Sequence, residues 1–330
     1  MRATNANAPR KTGAVLALAV LLAAALTATG TRLAASQGTV LTAMQTGETV
    51  PVRDPWSSFW DRVPKVSVPL SAQQLTPPMG GHRWTLDARA VQDSTNLYIE
   101  LEWSDPKPDR SVGAPQLFTD AAAVEFPSVA STSVPALCMG DPNATVNIWQ
   151  WRAAWQADVN LGFQGGVKHQ YPNTEVDQYP FHGDPTFYPG RYAGNPFSVT
   201  NRPSPVDNLV AGGFGTLTAD PTPLVQGWGE WRDGTWRVVF SRPLQVGRDA
   251  NVELAANDWT DVAFAVWDGA AQERNGMKSV GNFVGLNVSP ALMAAPAHFP
   301  YWPAPFFAFL VLWAGFAWMV VGRRSWRKRA

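Results

Sequence analysis

Leu97, Ile99, Leu101 and Trp103 alternate with Tyr98, Glu100 and Glu102, a period of two that places the apolar side chains on one face of a strand. The same alternation recurs in Val146-Asn147-Ile148-Trp149-Gln150-Trp151, in Trp236-Arg237-Val238-Val239-Phe240 and in Val262-Ala263-Phe264-Ala265-Val266-Trp267. Asp233-Gly234, set between Trp231 and Trp236, is a hairpin signal, and Asp105-Pro106 and Asp268-Gly269 mark further turns. Away from the termini no long stretch repeats every 3.6 residues. The pattern predicts a mainly β domain, an antiparallel β-sandwich with long loops. Residues 36–75 mix Pro, Ser and charge and read as partly irregular, with Trp56 and Trp60 docking the segment. Residues 156–229 are rich in Gly, Pro, Asn and Tyr without clear period, and read as partner-facing loops. Glu100 and Glu102 share the face opposite Leu101, which predicts a solvated strand face rather than a carboxylate pair for hydrolysis.

Two apolar runs flank this domain. Gly13–Thr29 follows Arg10-Lys11 and has the layout of a secretory signal or N-terminal anchor, assigned to residues 1–35. Phe299–Val321 carries no charge over 23 residues, enough for a transmembrane helix over 299–322. Tyr301, Trp302 and Trp326 stand at its ends, where amphipathic rings favour the interface. Arg323, Arg324, Arg327, Lys328 and Arg329 follow, a basic cytoplasmic tail over 323–330 by the positive-inside rule. Residues 36–298 are then extracytoplasmic, in the periplasm or on the outer face of the cytoplasmic membrane.

Charge and cysteine narrow the chemistry. The chain has 26 basic and 26 acidic residues, but eight of the basic ones lie in the two tails; the central part keeps 18 against 26, a net charge of −8. No nucleic-acid partner is expected of that part. A single cysteine, Cys138, excludes an internal disulfide, a cysteine-paired zinc site and an iron–sulfur cluster held by this chain. The Cys-x-x-Cys-His signature is missing too, so any haem is held non-covalently. Met79-Gly80-Gly81-His82 is a weak copper candidate. In Cys138-Met139-Gly140-Asp141-Pro142 a thioether occupies a Gly/Pro turn just before the tryptophan-rich strand. A methionine so placed either fills a gap in a core or ligates haem iron.

The run Cys138–Trp151 resembles the segment bearing the methionine ligand in the haem b (gamma) subunits of type II molybdoenzymes of the dimethylsulfoxide reductase family, which include the ethylbenzene, dimethylsulfide, chlorate, selenate and nitrite enzymes. Ala193-Gly194-Asn195-Pro196, Ser204-Pro205-Val206-Asp207-Asn208-Leu209, Gly213-Phe214-Gly215-Thr216-Leu217-Thr218 and Trp236–Leu244 are similar to family segments in the same order. The resemblance covers about residues 80–285 and leaves out both apolar runs. It implies Met139 as one axial ligand. Ala265–Val280 resembles the segment whose lysine supplies the other, which implies Lys278. Spacing alone leaves Met277 equally open, although neighbours in an extended loop point opposite ways, so that only one reaches the iron. Trp149 and Trp151, with Trp155, are candidates to wall the porphyrin; tryptophans on a strand otherwise fill a core. The implied protein is a non-catalytic electron-transfer subunit of an oxidoreductase complex. Its implied partners are a molybdenum catalytic subunit and an iron–sulfur subunit, with a cytochrome c or quinone-linked membrane protein beyond. From a different class comes a second expectation, a membrane-tethered carbohydrate-binding β-sandwich module that presents its tryptophans to a glycan.

Overall fold

A computed structural model of the chain describes residues 39–128, 135–162, 171–173, 190, 193, 195, 198–199, 201–220, 224–248 and 250–293. The runs expected to be a signal and a transmembrane helix lie outside them. Among the described residues no helix is long and apolar enough to cross a membrane.

Thirteen strands form the fold: β1 (Val40–Gln45), β2 (Lys65–Ala72), β3 (Thr85–Gln92), β4 (Asn96–Ser104), β5 (Ala121–Pro127), β6 (Val146–Arg152), β7 (Val206–Ala211), β8 (Thr218–Ala219), β9 (Gln226–Arg232), β10 (Thr235–Pro243), β11 (Trp259–Trp267), β12 (Ser279–Gly281) and β13 (Val284–Leu292). Among the described residues two short helices join them, α1 (Ser58–Asp61) and α2 (Ala153–Leu161). Along hydrogen-bonded neighbours the order is β8-β7-β6-β5-β11-β12-β2-β3-β4-β10-β9, with β1 against β13 and β3, and β13 also against β11. β2 and β11 pair in both sheets, at opposite ends of their length, and so carry the chain from one layer of the sandwich to the other. All pairings are antiparallel except those of β1, which lies parallel to β13 and to β3.

The alternating segments become β4, β6, β10 and β11. The Asp233-Gly234 hairpin forms as the sequence predicts: Arg232 pairs with Thr235, and both turn residues take positive φ, 49° and 84°. That is the conformation a two-residue hairpin turn needs, and the reason a glycine follows the aspartate. Between the layers lies a core of apolar side chains from both sheets, with Trp103, Trp149, Trp151, Trp236, Phe126, Phe240 and Phe264 at most 2% exposed. Trp103 stacks on Trp236 at 6.3 Å and 25°, and Trp151 meets Trp236 edge-on at 4.9 Å. Each such ring removes enough apolar surface from water to stabilise the fold by about 2–3 kcal/mol.

Three expectations change. Residues 36–75 hold β1, α1 and β2, although Trp60 is fully buried and Trp56 reaches β9 as docking points should: its indole N–H donates to the Glu230 carbonyl at 3.4 Å. The span 156–229 contains the end of α2 and strands β7, β8 and part of β9, so it is not wholly loop. Glu100 is not solvated. It is fully buried, 2.7 Å from Arg89 Nη1 and 3.7 Å from Arg237 Nε, with Glu102 sharing both guanidinium groups. The face bearing Glu100 and Glu102 is closed by arginines on the neighbouring strands, which alternation within one strand does not reveal.

Candidate functional site

Sandwich sheets commonly alternate apolar and polar positions, one face packed and the other wet. β5 and β6 do not: every position from Ala121 to Phe126 and from Val146 to Trp151 is buried. Strand parity separates two sets. Ala122, Val124, Phe126, Trp149, Trp151, Phe264 and Val266 point into the main core. Ala121, Ala123, Val146, Ile148, Leu209, Ala211, Ala265, Trp267 and Val280 point the other way and form a second apolar cluster on the outer face, joined by Cys138 and covered by Leu137 and Met139. Ala265 of β11 sits directly across from Ala123 of β5. Facing alanines leave a flat floor, because nothing beyond Cβ rises from it.

Lys278 opens onto this floor. It lies in the turn between β11 and β12 and is 8% exposed, its Nζ 5.0 Å from the centre of the Trp267 ring. With Ala123, Leu137, Cys138, Ile148, Ala263, Ala265, Trp267 and Val280 it lines a cleft whose remaining polar member is Glu125. Glu125 shares the β5 face of Ala121 and Ala123, and accepts the Cys138 backbone N–H at 3.2 Å. Burial pushes its carboxyl up to about 7 against the opposing pull of the Lys278 charge. Burial likewise raises the Cys138 thiol to about 11, so the residue is a neutral packing group.

The Lys278 backbone is fixed by the segment before β3. Gln73 N–H donates to the Lys278 carbonyl at 3.0 Å, Lys278 N–H to Gly80 O at 3.2 Å, and Gln73 Nε2 to Gly276 O at 2.8 Å. Gly81 has φ 151°, and a Cβ there would stand 2.7 Å from the Lys278 carbonyl oxygen, so only glycine lets the two segments lie together. The glycines of the copper candidate thus serve backbone packing, and His82 Nδ1 sits 2.7 Å from Glu273 Oε1. Met277 turns outward, packing on Gly80, with its sulfur 3.7 Å from Arg274 Nη1. Of the two neighbours, Lys278 is the one in the cleft.

Met139 reaches the same cluster from the opposite segment. Its turn is closed by Gly140 N–H to Ala136 O at 2.9 Å, and Gly213 N–H donates to the Met139 carbonyl at 2.9 Å. The tryptophans do not join it. Trp149 packs on Phe126 at 4.6 Å, and Trp151 lies among Trp103 and Trp236, both on the core face. Trp155, in α2, sits between the guanidinium groups of Arg152 and Arg202 at 4.5 and 4.2 Å. The aromatic wall of the cleft is Trp267. The same burial removes Trp149 and Trp151 from any glycan-binding face. Glu125 and Trp267 were the residues missed; the signal was one acid inside the apolar run Ala121–Phe126. Beyond Trp267 the outer face continues into a more polar cleft lined by Ala121, Gln150, Arg152, Phe118, Glu273 and Arg274.

Fold and site together define a β-sandwich protein with a flat apolar cleft on the outer face of one sheet, holding one buried amine and bordered by a thioether-bearing turn. Residues 57–279 match the ethylbenzene dehydrogenase family, and the chain belongs to it. It is 30% identical over 255 residues (77% of this chain, 70% of the relative) to a Haloferax mediterranei protein provisionally named respiratory nitrate reductase haem subunit ORF7. It is 30% identical to chlorate reductase subunit gamma of Ideonella dechloratans, covering 78% of this chain and 90% of the relative. Dimethylsulfide dehydrogenase subunit gamma of Rhodovulum sulfidophilum is 29% identical over 74% of this chain and 78% of its own length. Among solved structures, a family 9 carbohydrate-binding module from Caldicellulosiruptor kristjanssonii with cellotriose covers 79% of this chain and 98% of its own at 9% identity and a TM-score of 0.38, too distant to bear on the ligand.

Proposed function

We propose that this chain is the haem-binding electron-transfer subunit of a molybdoenzyme complex, and that Met139 and Lys278 are the axial ligands of a non-covalent haem b. The observation that carries the reading is the Lys278 amine, buried over a floor of alanines beneath the turn of Met139. A primary amine and a thioether suit a low-spin iron, and a flat apolar floor suits a porphyrin face. The group, when bound, supplies a ferric/ferrous couple, which a thioether ligand draws to more positive potential.

The rest belongs to the protein. To donate a lone pair, Lys278 must give up a proton, and Glu125 is the carboxylate that lines the same cleft. The ammonium and the carboxylate would then become a neutral amine and a neutral acid, and no uncompensated charge would be left in the cleft. Trp267 flanks the amine, while Arg152 and Arg274, in the polar extension of the same face, are suited to the two propionates. A haem held by both Met139 and Lys278 would serve electron transfer rather than substrate binding. The subunit would carry electrons between an iron–sulfur subunit and a cytochrome or membrane carrier, the substrate being turned over on a molybdenum-bearing chain. Residues 299–322 would fasten it to the membrane with residues 36–298 outside the cytoplasm.

Absorption and low-temperature paramagnetic resonance spectra of the purified protein test the assignment. Lys278→Ala and Met139→Ala should each convert the low-spin spectrum and shift the midpoint potential, whereas Met277→Ala should leave both unchanged. A spectrum indifferent to Lys278→Ala but altered by Met277→Ala overturns the ligand pair; a colourless protein overturns the function.

A further inference from the structure

Away from the cleft, three aspartates that the haem reading does not use converge where β4, β5 and β11 end or begin. Asp105 follows β4, Asp120 precedes β5 and Asp268 follows β11. They are 1%, 0% and 7% exposed, and one carboxylate oxygen of each lies within 4.8 Å of the others. Oxygens held 2.3–2.6 Å from a single Ca2+ span separations of that size. Arg83 answers two of them, its Nη2 3.1 Å from Asp105 Oδ1 and 2.8 Å from Asp268 Oδ2. Asp109, which donates its backbone N–H to Asp120 at 2.6 Å, brings a fourth carboxylate close by; Lys107 Nζ lies 2.9 Å from Asp109 Oδ1 and the Arg110 charge acts on Asp120, so four carboxylates face three cations and an excess of one negative charge remains.

Two observations beyond the clustering point to a ligand. Asp105 Oδ2 is buried and has no hydrogen-bond partner among the described residues, and neither has Asp109 Oδ2. Buried acceptors in native proteins are almost always satisfied, and an orphan carboxylate oxygen is strongly disfavoured. Asp120, moreover, is surrounded by donors: Gly269 N–H at 2.9 Å, Asp109 N–H at 2.6 Å and Trp236 Nε1–H at 3.0 Å. That set suits an ionised carboxylate.

We propose that Asp105, Asp120 and Asp268 bind a hard divalent cation, of the Ca2+ kind, at this corner of the sandwich. The donors are all oxygen, without imidazole or thiolate, which selects Ca2+ or Mg2+ over zinc or copper. A cation also reverses the electrostatic conflict that burial and mutual repulsion impose, which pushes Asp120 up to about 8 and Asp105 to about 6. Its mechanical effect would fall on the turn from Asp268 to Lys278, whose first residue it would hold to the ends of two other strands.

Terbium is the probe, because Trp236 touches Asp120 and can transfer excitation to a bound lanthanide. The full chain, stripped with a chelator, should give saturable tryptophan-sensitised Tb3+ emission that Ca2+ displaces, together with a Ca2+-dependent rise in Tm. Asp105→Asn and Asp268→Asn should each weaken Ca2+ binding by about tenfold or more, and folding of each is checked by near-UV circular dichroism. Anomalous scattering from Tb3+ in crystals of the unsubstituted protein should place the ion among the three carboxylates, whether or not either variant folds. Sensitised emission equal in both folded variants, or an ion located elsewhere, overturns the site. So does a protein with neither emission nor a Ca2+-dependent Tm, whose carboxylates would then be balanced by a shared proton.

Discussion

Replacing Glu125 by glutamine removes one ionisation from the floor of the cleft while preserving its size. In the folded chain burial holds the Glu125 proton up to about 7, whereas an unfolded glutamate releases it near 4.5. Between these values the folded state binds more protons than the unfolded, so the contribution of this group is fully present below about 4.5 and is lost as the pH rises through about 7. The interval is about 2.5, at about 1.4 kcal/mol for each factor of ten in proton affinity, or about 3 kcal/mol. Urea unfolding of the haem-free chain, followed by tryptophan fluorescence from about pH 4.5 to about pH 8, should show the unsubstituted protein losing stability across the range. Glu100, Asp105 and Asp120 are raised in the same direction, so Glu125→Gln should flatten the profile by about 3 kcal/mol rather than abolish its slope. Lys278→Met should move the Glu125 transition to higher pH, because the ammonium is what draws it down. Identical profiles for Glu125→Gln and the unsubstituted chain, or an unmoved transition in Lys278→Met, would refute the pairing of these two side chains.

Trp151→Ala should lower stability by about 3–5 kcal/mol while any haem spectrum keeps its ligand signature, because the ring lies on the core face and fills space between Trp103 and Trp236; a lost spectrum in a fully stable variant would contradict this. Gly229→Ala should cost about 1–3 kcal/mol by denaturant unfolding, since a Cβ there would collide with the Trp151 ring. Arg89→Ala should lose about 3–5 kcal/mol at about pH 9, because it strips the fully buried, ionised Glu100 of its closest guanidinium, and the loss should shrink as the pH falls through about 7, where burial brings Glu100 to take up its proton. Gly234→Ala should weaken the hairpin by about 1 kcal/mol, since a φ of 84° strains any residue with a Cβ even though the space around it is open.

Strands announced themselves wherever polar and apolar side chains alternated or a turn was sharp. The alternation in β4 and β10 and the Asp233-Gly234 turn were legible because each depends on residues close in sequence. Glu100 was misread for the complementary reason. Its burial depends on Arg89 and Arg237, one on each neighbouring strand, and strand pairing is not written in the period of a single segment. α2 escaped because its nine residues sit between Trp151 and a loop with no sustained apolar stripe. Spacing left open which of Lys278 and Met277 faces the cleft; the fold stacks Met277 on Gly80 and turns Lys278 inward.

The tryptophans and the alanines exchange roles when read with strand parity. Trp149 and Trp151 look like ligand-binding residues because they are large and close to Met139, yet an odd offset on β6 sends them to the core while Ile148 faces the cleft. Ala121, Ala123 and Ala265 look like filler, yet they face outward where a two-layer sandwich needs no apolar side chains at all. An outer face kept apolar and low across two adjacent strands needs a cover, to which Leu137 and Met139 contribute. Bulky residues would serve a protein partner better, and polar ones would serve solvent. A row of alanines ending in a buried lysine and its carboxylate is the arrangement expected where the covering group is planar, apolar in the middle and held through a metal.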